Sequence, residues 1–138
     1  SGDEAQAVAD YERVLETNPD NVLALNNLAW LYEARGDTRA LTMAKKAYDL
    51  LPERAEVADT YGWFLVKSGK VEQGLSLLDK ALKGAPGNAD IRYHQAAALH
   101  QAGESKRATA LLDELLKDAA DFAERSAAEK LLKQLNSH

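Results

Sequence analysis

The chain has 138 residues, of which 46% are hydrophobic and 28% charged, the proportions of one folded domain. Its net charge of -5 argues against a general nucleic-acid binder, which needs a basic face for phosphates. The absence of cysteine excludes disulfides, thiol nucleophiles and thiolate metal sites, and no apolar run approaches the roughly 18 residues that span a bilayer.

Apolar residues recur at steps of three and four along most of the chain, which predicts helices near 3–17, 22–35, 38–50, 55–68, 71–84, 89–102, 105–118 and 122–135. The first carries Val8, Tyr11, Val14 and Leu15 on one side. It ends at Asn-Pro-Asp-Asn (18–21), which is turn chemistry, as is Ala-Pro-Gly-Asn at 85–88. The second ends at Gly36, the fourth at Gly69 and the sixth at Gly103, because glycine accepts the left-handed conformation that closes a helix. The third, fifth and first run toward Pro52, Pro86 and Pro19, where proline's missing amide proton stops them. The eighth bears Phe122, Ala128, Leu131, Leu132 and Leu135 as an apolar stripe that suits a terminal cap; a membrane-surface helix is the alternative, with thin basic content.

These punctuation marks repeat. Pro19, Pro52 and Pro86 are 33 and 34 residues apart, and Gly2, Gly36, Gly69 and Gly103 are 34, 33 and 34 apart. A fixed period near 34 predicts a stacked array of helix pairs. Ala29, Gly62 and Ala96 stand seven residues before their turn glycines, and Ala7, Gly74 and Ala108 stand five after. Small side chains at matched places let two antiparallel helices approach closely. Glycine inside a helix costs about 1 kcal/mol relative to alanine, so Gly62 and Gly74 point to close contact. The single 33-residue interval is located in the Gly36-Asp37-Thr38-Arg39 turn, since Ala40 follows Gly36 by only four.

The period, the helix-turn-helix unit and the matched small residues resemble the tetratricopeptide repeat over essentially the whole chain. The resemblance implies an all-α, right-handed superhelix of antiparallel helix pairs with about eight helices. It divides 1–138 into a half repeat (2–21), full repeats at 22–54, 55–88 and 89–120, and a capping helix at 122–135. Two departures stand out. Gln95 replaces the large apolar residue found as Leu28 and Tyr61, and Leu25, Ala58 and Arg92 stand where the consensus has tryptophan.

A narrower likeness is carried by NNLAWLYEARGD, DTYGWFLVKSGKVEQGLSLLDKAL and IRYHQAAALHQAGE. It resembles the C-terminal repeats of the large lipoproteins of bacterial exosortase systems. That likeness implies a periplasm-facing or outer-membrane-anchored scaffold in exopolysaccharide export or protein sorting; without it, a cytoplasmic location stands. The lipid-bearing cysteine of such proteins is not in this sequence. Because the chain opens at a turn glycine, it reads as part of a longer protein.

The repeat resemblance also implies that the first helix of each pair lines a concave groove. The groove residues are then Leu23, Asn26, Trp30 and Glu33, next Glu56, Asp59, Trp63 and Lys67, and last Asp90, Tyr93, Ala97, His100 and Gln101. Trp30 and Trp63 occupy the same place in successive repeats and are expected side by side, offering apolar faces and N–H donors that suit a binding hot spot. Packing between neighbouring first helices is the competing role. Glu33, Glu56, Asp59 and Asp90 make the groove acidic, opposed by Lys67, which favours an apolar or aromatic peptide with basic residues. A solvated helix face explains the same carboxylates. Asn26-Asn27 invites comparison with repeat domains that clamp a terminal carboxylate, but the basic residues such a clamp uses are missing.

No catalytic or cofactor-binding constellation is present. His94 and His100 are six residues apart, on different helix faces, His138 is the last residue, and no His-x3-His pair exists. Ser68-Gly69-Lys70 lacks the rest of a phosphate loop. The expectation is a non-catalytic scaffold for a protein or peptide, with no metal, nucleic acid or direct membrane insertion. The alternatives are a structural spacer or self-association segment, joined through the exposed stripe of the first helix, and an auxiliary domain of a glycan-handling enzyme.

Overall fold

A computed structural model describes residues 2–137, which form eight helices: α1 (Gly2–Thr17), α2 (Val22–Ala34), α3 (Arg39–Leu50), α4 (Ala55–Lys67), α5 (Val71–Gly84), α6 (Ala89–Gln101), α7 (Ser105–Asp118) and α8 (Arg125–Asn136). The starts and stops follow from local chemistry. Asn21 Oδ1 accepts from the Ala24 N–H at 2.9 Å and Asn88 Oδ1 from the Ile91 N–H at 3.0 Å, capping α2 and α6. After α2, α4 and α6 the chain turns at Gly36, Gly69 and Gly103, with φ of 70°, 94° and 88°. The next amide then reaches back to the last helical turn in each case: Asp37 to Tyr32, Lys70 to Leu65 and Glu104 to Leu99, all at 2.9 Å.

Consecutive helices pack in order, and the heaviest packing is within the pairs α2–α3, α4–α5 and α6–α7. Among the described residues, α2, α4, α6 and α8 also touch one another across the array, whereas the odd-numbered helices do not. The even helices therefore form the inner, concave layer of an all-α superhelix. No described helix is long and apolar enough to cross a membrane.

One core runs through the first six helices, built on Leu28, Ala29, Tyr32, Ala44, Phe64, Val66, Leu78 and Ala98. Within it, α4 and α5 meet backbone to backbone. A methyl group on Gly62 would fall 2.9 Å from the Gly74 carbonyl oxygen, and one on Gly74 would overlap both the Gly62 carbonyl oxygen and Val66. A second cluster, Ala96, Leu112, Leu115 and Ala128, receives Phe122, Leu131, Leu132 and Leu135 at the far end.

Two expectations change. The stripe on α1 is not left open: Val8 is 5% exposed, and Tyr11 and Leu15 pack into the core against later helices. The Asn27 amide donates to the Tyr11 hydroxyl at 3.1 Å, and of the four apolar residues only Val14, at 38%, is exposed. That stripe gives no basis for self-association. The last helix begins at Arg125, not at 122; just before it the Glu124 N–H donates to Asp90 Oδ1 at 2.9 Å, and Arg125 Nη1 donates to the Ala119 carbonyl.

Near the other end, Tyr32 joins α1, α2 and α3. Its hydroxyl donates to Glu12 Oε2 at 2.6 Å, and the Arg39 guanidinium lies 4.2 Å from its ring centroid while pairing with Asp37 at 2.7 Å. The short Gly36–Arg39 turn is thus closed by its own ion pair. Burial, followed by the hydrogen bond to Glu12, pushes the Tyr32 phenol up to about 12, whereas an unfolded tyrosine titrates near 10.

Gly74→Ala should destabilise the fold by about 1–3 kcal/mol in urea unfolding, although alanine is the better helix former, because the overlap is with backbone. A variant as stable as the parent would show that α4 and α5 can separate freely. Tyr32 gives a pH signature. Its raised pKa means that the folded state keeps a proton that the unfolded state loses, so its contribution is complete below pH 10 and declines between about pH 10 and 12. Comparing Tyr32→Phe with the parent by thermal melts across that window should show a shallower decline in the variant.

Candidate functional site

The concave layer contains a pocket of about 410 Å³, a size suited to a side chain or small ligand. Asn26 and Trp30 of α2 form one wall, and Glu56, Asp59 and Thr60 of α4 form the floor. Asp90 and His94 of α6, with its cap Asn88, stand opposite, and Ala123 and Glu124, just before α8, close the end. Asp90 holds that end in place through its bond to the Glu124 amide.

Two polar residues of the interior, Thr60 and His94, share one repeat position with Asn27, 33 and 34 residues apart, and Asn27 itself bonds Tyr11 outside the pocket. Thr60 accepts from Trp30 Nε1–H at 2.9 Å and donates to the Glu56 carbonyl at 2.9 Å. His94 is only 2% exposed, and its Nδ1 is 2.7 Å from Asp59 Oδ1. A carboxylate only accepts, so Nδ1 carries the proton of this bond. The imidazole stacks on Trp63, with centroids 4.4 Å apart, and on Trp30 at 6.0 Å. Trp30 also meets Phe64 edge-on at 4.8 Å.

The expected groove residues therefore separate. Asn26, Trp30, Glu56, Asp59 and Asp90 are brought together in the pocket. Trp63 is 9% exposed and lies behind His94, with Tyr93 tilted against it at 6.0 Å. The two tryptophans thus share the His94 ring as a neighbour, and the Trp30 N–H is already spent on Thr60. Lys67 does not oppose the pocket's acidity: its ammonium pairs with Glu33 at 2.7 Å beside a separate hollow near Gly36. His100 lies apart, within 3.2 Å of the Ser105 hydroxyl. Leu23 and Gln101 are exposed, and Ala97 is buried. His138 lies outside the described residues.

Sequence reasoning missed His94, Asn88 and Glu124. The available signal was the run of polar residues at the Asn27, Thr60 and His94 position, on the side of each first helix that otherwise packs. Glu124 carried no signal, because its place depends on a bond to a residue 34 positions away.

A tetratricopeptide repeat model matches residues 65–135, and a second matches residues 10–40. A TPR repeat-containing protein of Pseudomonas aeruginosa is 33% identical over 88 residues, covering 61% of this chain and 15% of that protein. Cellulose synthase operon protein C of Xanthomonas axonopodis pv. citri is 32% identical over 147 aligned residues, covering 97% of this chain and 10% of that protein. The chain thus spans only a small part of these curated relatives. Among solved structures, PilW, a widely conserved type IV pilus biogenesis factor, matches with a TM-score of 0.79 and 26% identity over 98% of this chain and 65% of its own. An O-GlcNAc transferase of Thermobaculum terrenum matches with 0.76 and 29% over 84% of this chain and 23% of its own. YrrB, a TPR protein with an unusual peptide-binding site, shares the fold, with 0.66 and 22% over 78% of this chain and 56% of its own.

The two tryptophans should respond differently to substitution. Trp63→Ala, which empties a buried site behind His94, should cost about 3–5 kcal/mol in urea unfolding. Trp30→Phe, which keeps an aromatic ring and loses one hydrogen bond, should cost about 1–2 kcal/mol. Equal costs would show that the indoles are not divided between core and pocket.

Proposed function

The chain belongs to the tetratricopeptide repeat family, and on that premise we propose that its concave face is a non-catalytic docking surface for an extended, basic peptide segment of another protein. One observation carries this reading. The pocket crosses three successive first helices and exposes carboxylates and an indole, with the exposed Glu56 carboxylate held only by a 3.8 Å pair with Arg54. The full repeats in this reading are 22–54, 55–88 and 89–120, and they supply that face.

We read the chain further as a segment of a larger envelope-associated scaffold in export or assembly. The similarity to cellulose synthase operon protein C along nearly the whole chain supports this, as does the fold shared with a pilus biogenesis factor. A second reading, a repeat segment attached to a glycan-handling catalytic domain, is favoured by the match to part of an O-GlcNAc transferase.

Selection of a displayed random-peptide library on the purified chain tests the docking surface. The expected ligands are rich in lysine and arginine, and Glu56→Lys should weaken them at least tenfold in fluorescence polarisation while leaving the helical circular dichroism unchanged. Ligands indifferent to Glu56→Lys would move the binding surface elsewhere, and a library yielding no ligand would leave the spacer role.

A further inference from the structure

The pocket has an imbalance of hydrogen-bonding groups. Two of its buried side-chain atoms have no partner: Asn26 Oδ1 and His94 Nε2. In the neutral imidazole, whose Nδ1 proton is engaged by Asp59, Nε2 presents a lone pair, and both orphans are then acceptors. Glu124 Oε2, a third acceptor, faces Nε2 at 3.9 Å, beyond hydrogen-bond range. A buried polar atom without a partner costs about 1–3 kcal/mol. The Glu56 carboxylate, loosely paired with Arg54 at 3.8 Å, and the Asp90 carboxylate add negative charge around the same space, and the N–H of the lining indole, Trp30, is committed to Thr60. The two orphaned atoms of this pocket are therefore vacancies for a donor.

We infer that the pocket is an arginine-specific subsite, which takes one guanidinium group from the docked peptide. This deepens the peptide-docking reading and rests on it. The guanidinium supplies five N–H donors in a plane and no acceptor, and it sheds water more readily than an ammonium. One of its NH₂ groups has two protons, enough to bridge His94 Nε2 and Glu124, and Trp30 provides an aromatic wall for the cation. Closing the gap between α6 and the segment before α8 is then the ligand's task. Lysine would bring its charge as a single compact point, and citrulline would bring the same shape without charge.

The test is a nuclear magnetic resonance titration at pH 7 with three capped tripeptides, Ac-Ala-Xaa-Ala-amide, in which Xaa is arginine, lysine or citrulline. The arginine peptide should shift the His94 Nε2 nitrogen and the Trp30 indole proton saturably, at least fivefold more tightly than the lysine peptide, with no saturation by citrulline. Glu124→Gln and Asn26→Ala should each weaken the arginine peptide at least threefold while preserving the circular dichroism. Equal binding of all three peptides, binding insensitive to both variants, or no shift at millimolar peptide would overturn the subsite. So would a free-state Nε2 resonance already in the protonated range, since the missing donor would then be His94's own proton. Selected library peptides that still bind after their arginines are replaced would remove the subsite and keep the docking surface; loss of all peptide binding to the concave face would remove both.

Discussion

The contact between Gly62 and Gly74 sets the geometry of the middle of the molecule. Two helices whose backbones touch have almost no freedom to slide or rotate, and α4 and α5 are held in this way. The neighbours α3 and α6 then stack against an already fixed pair. In an array whose units contact only their neighbours, one rigid pair in the centre propagates its register outward. The pocket inherits that precision, because the N-terminal half of α4 lies between its walls from α2 and α6.

The repeat was legible in the sequence because its stops are residues with single-valued backbone chemistry. Gly36, Gly69 and Gly103 all adopt the left-handed conformation, and Asn21 and Asn88 both cap. The site was legible only in part. Register identified Asn26, Trp30, Glu56, Asp59 and Asp90 as facing inward, and the structure brings these five to one pocket. Register could not say that equivalent tryptophans have different fates. A side chain on a first helix is covered by residues of the next repeat that lie about one helical turn before its own equivalent position. Trp30 meets Thr60, a small group that leaves the ring half-exposed, whereas Trp63 meets His94 and Tyr93, whose rings cover it. Exposure in such an array belongs to pairs of repeats, and the 34-residue period averages that information away.

The start of α8 shows the same limit. The apolar stripe from Phe122 to Leu135 correctly marks what the end of the array buries, and Phe122 does enter that cluster. Helical periodicity nonetheless assigned 122–124 to the helix, because apolar spacing extends back past the first residue that is helical. Asp90 accepts from the Glu124 amide, and the non-helical residues Ala123 and Glu124 become the end wall of the pocket. The departure from regularity is the part of this region that has chemistry to offer.

Among the described residues the even-numbered helices touch while the odd-numbered ones do not, so the array is crowded on its inner edge and open on its outer edge. Bending that opened the inner edge would widen the pocket, which lies across it. A ligand that joins α2, α4, α6 and the lead-in to α8 acts as a cross-brace against flexing. By linkage, whatever straightens the array must loosen the ligand, and whatever curls it must tighten the ligand by the same factor. Occupancy of one small pocket and the end-to-end span of the array are thus two readings of a single mechanical coordinate.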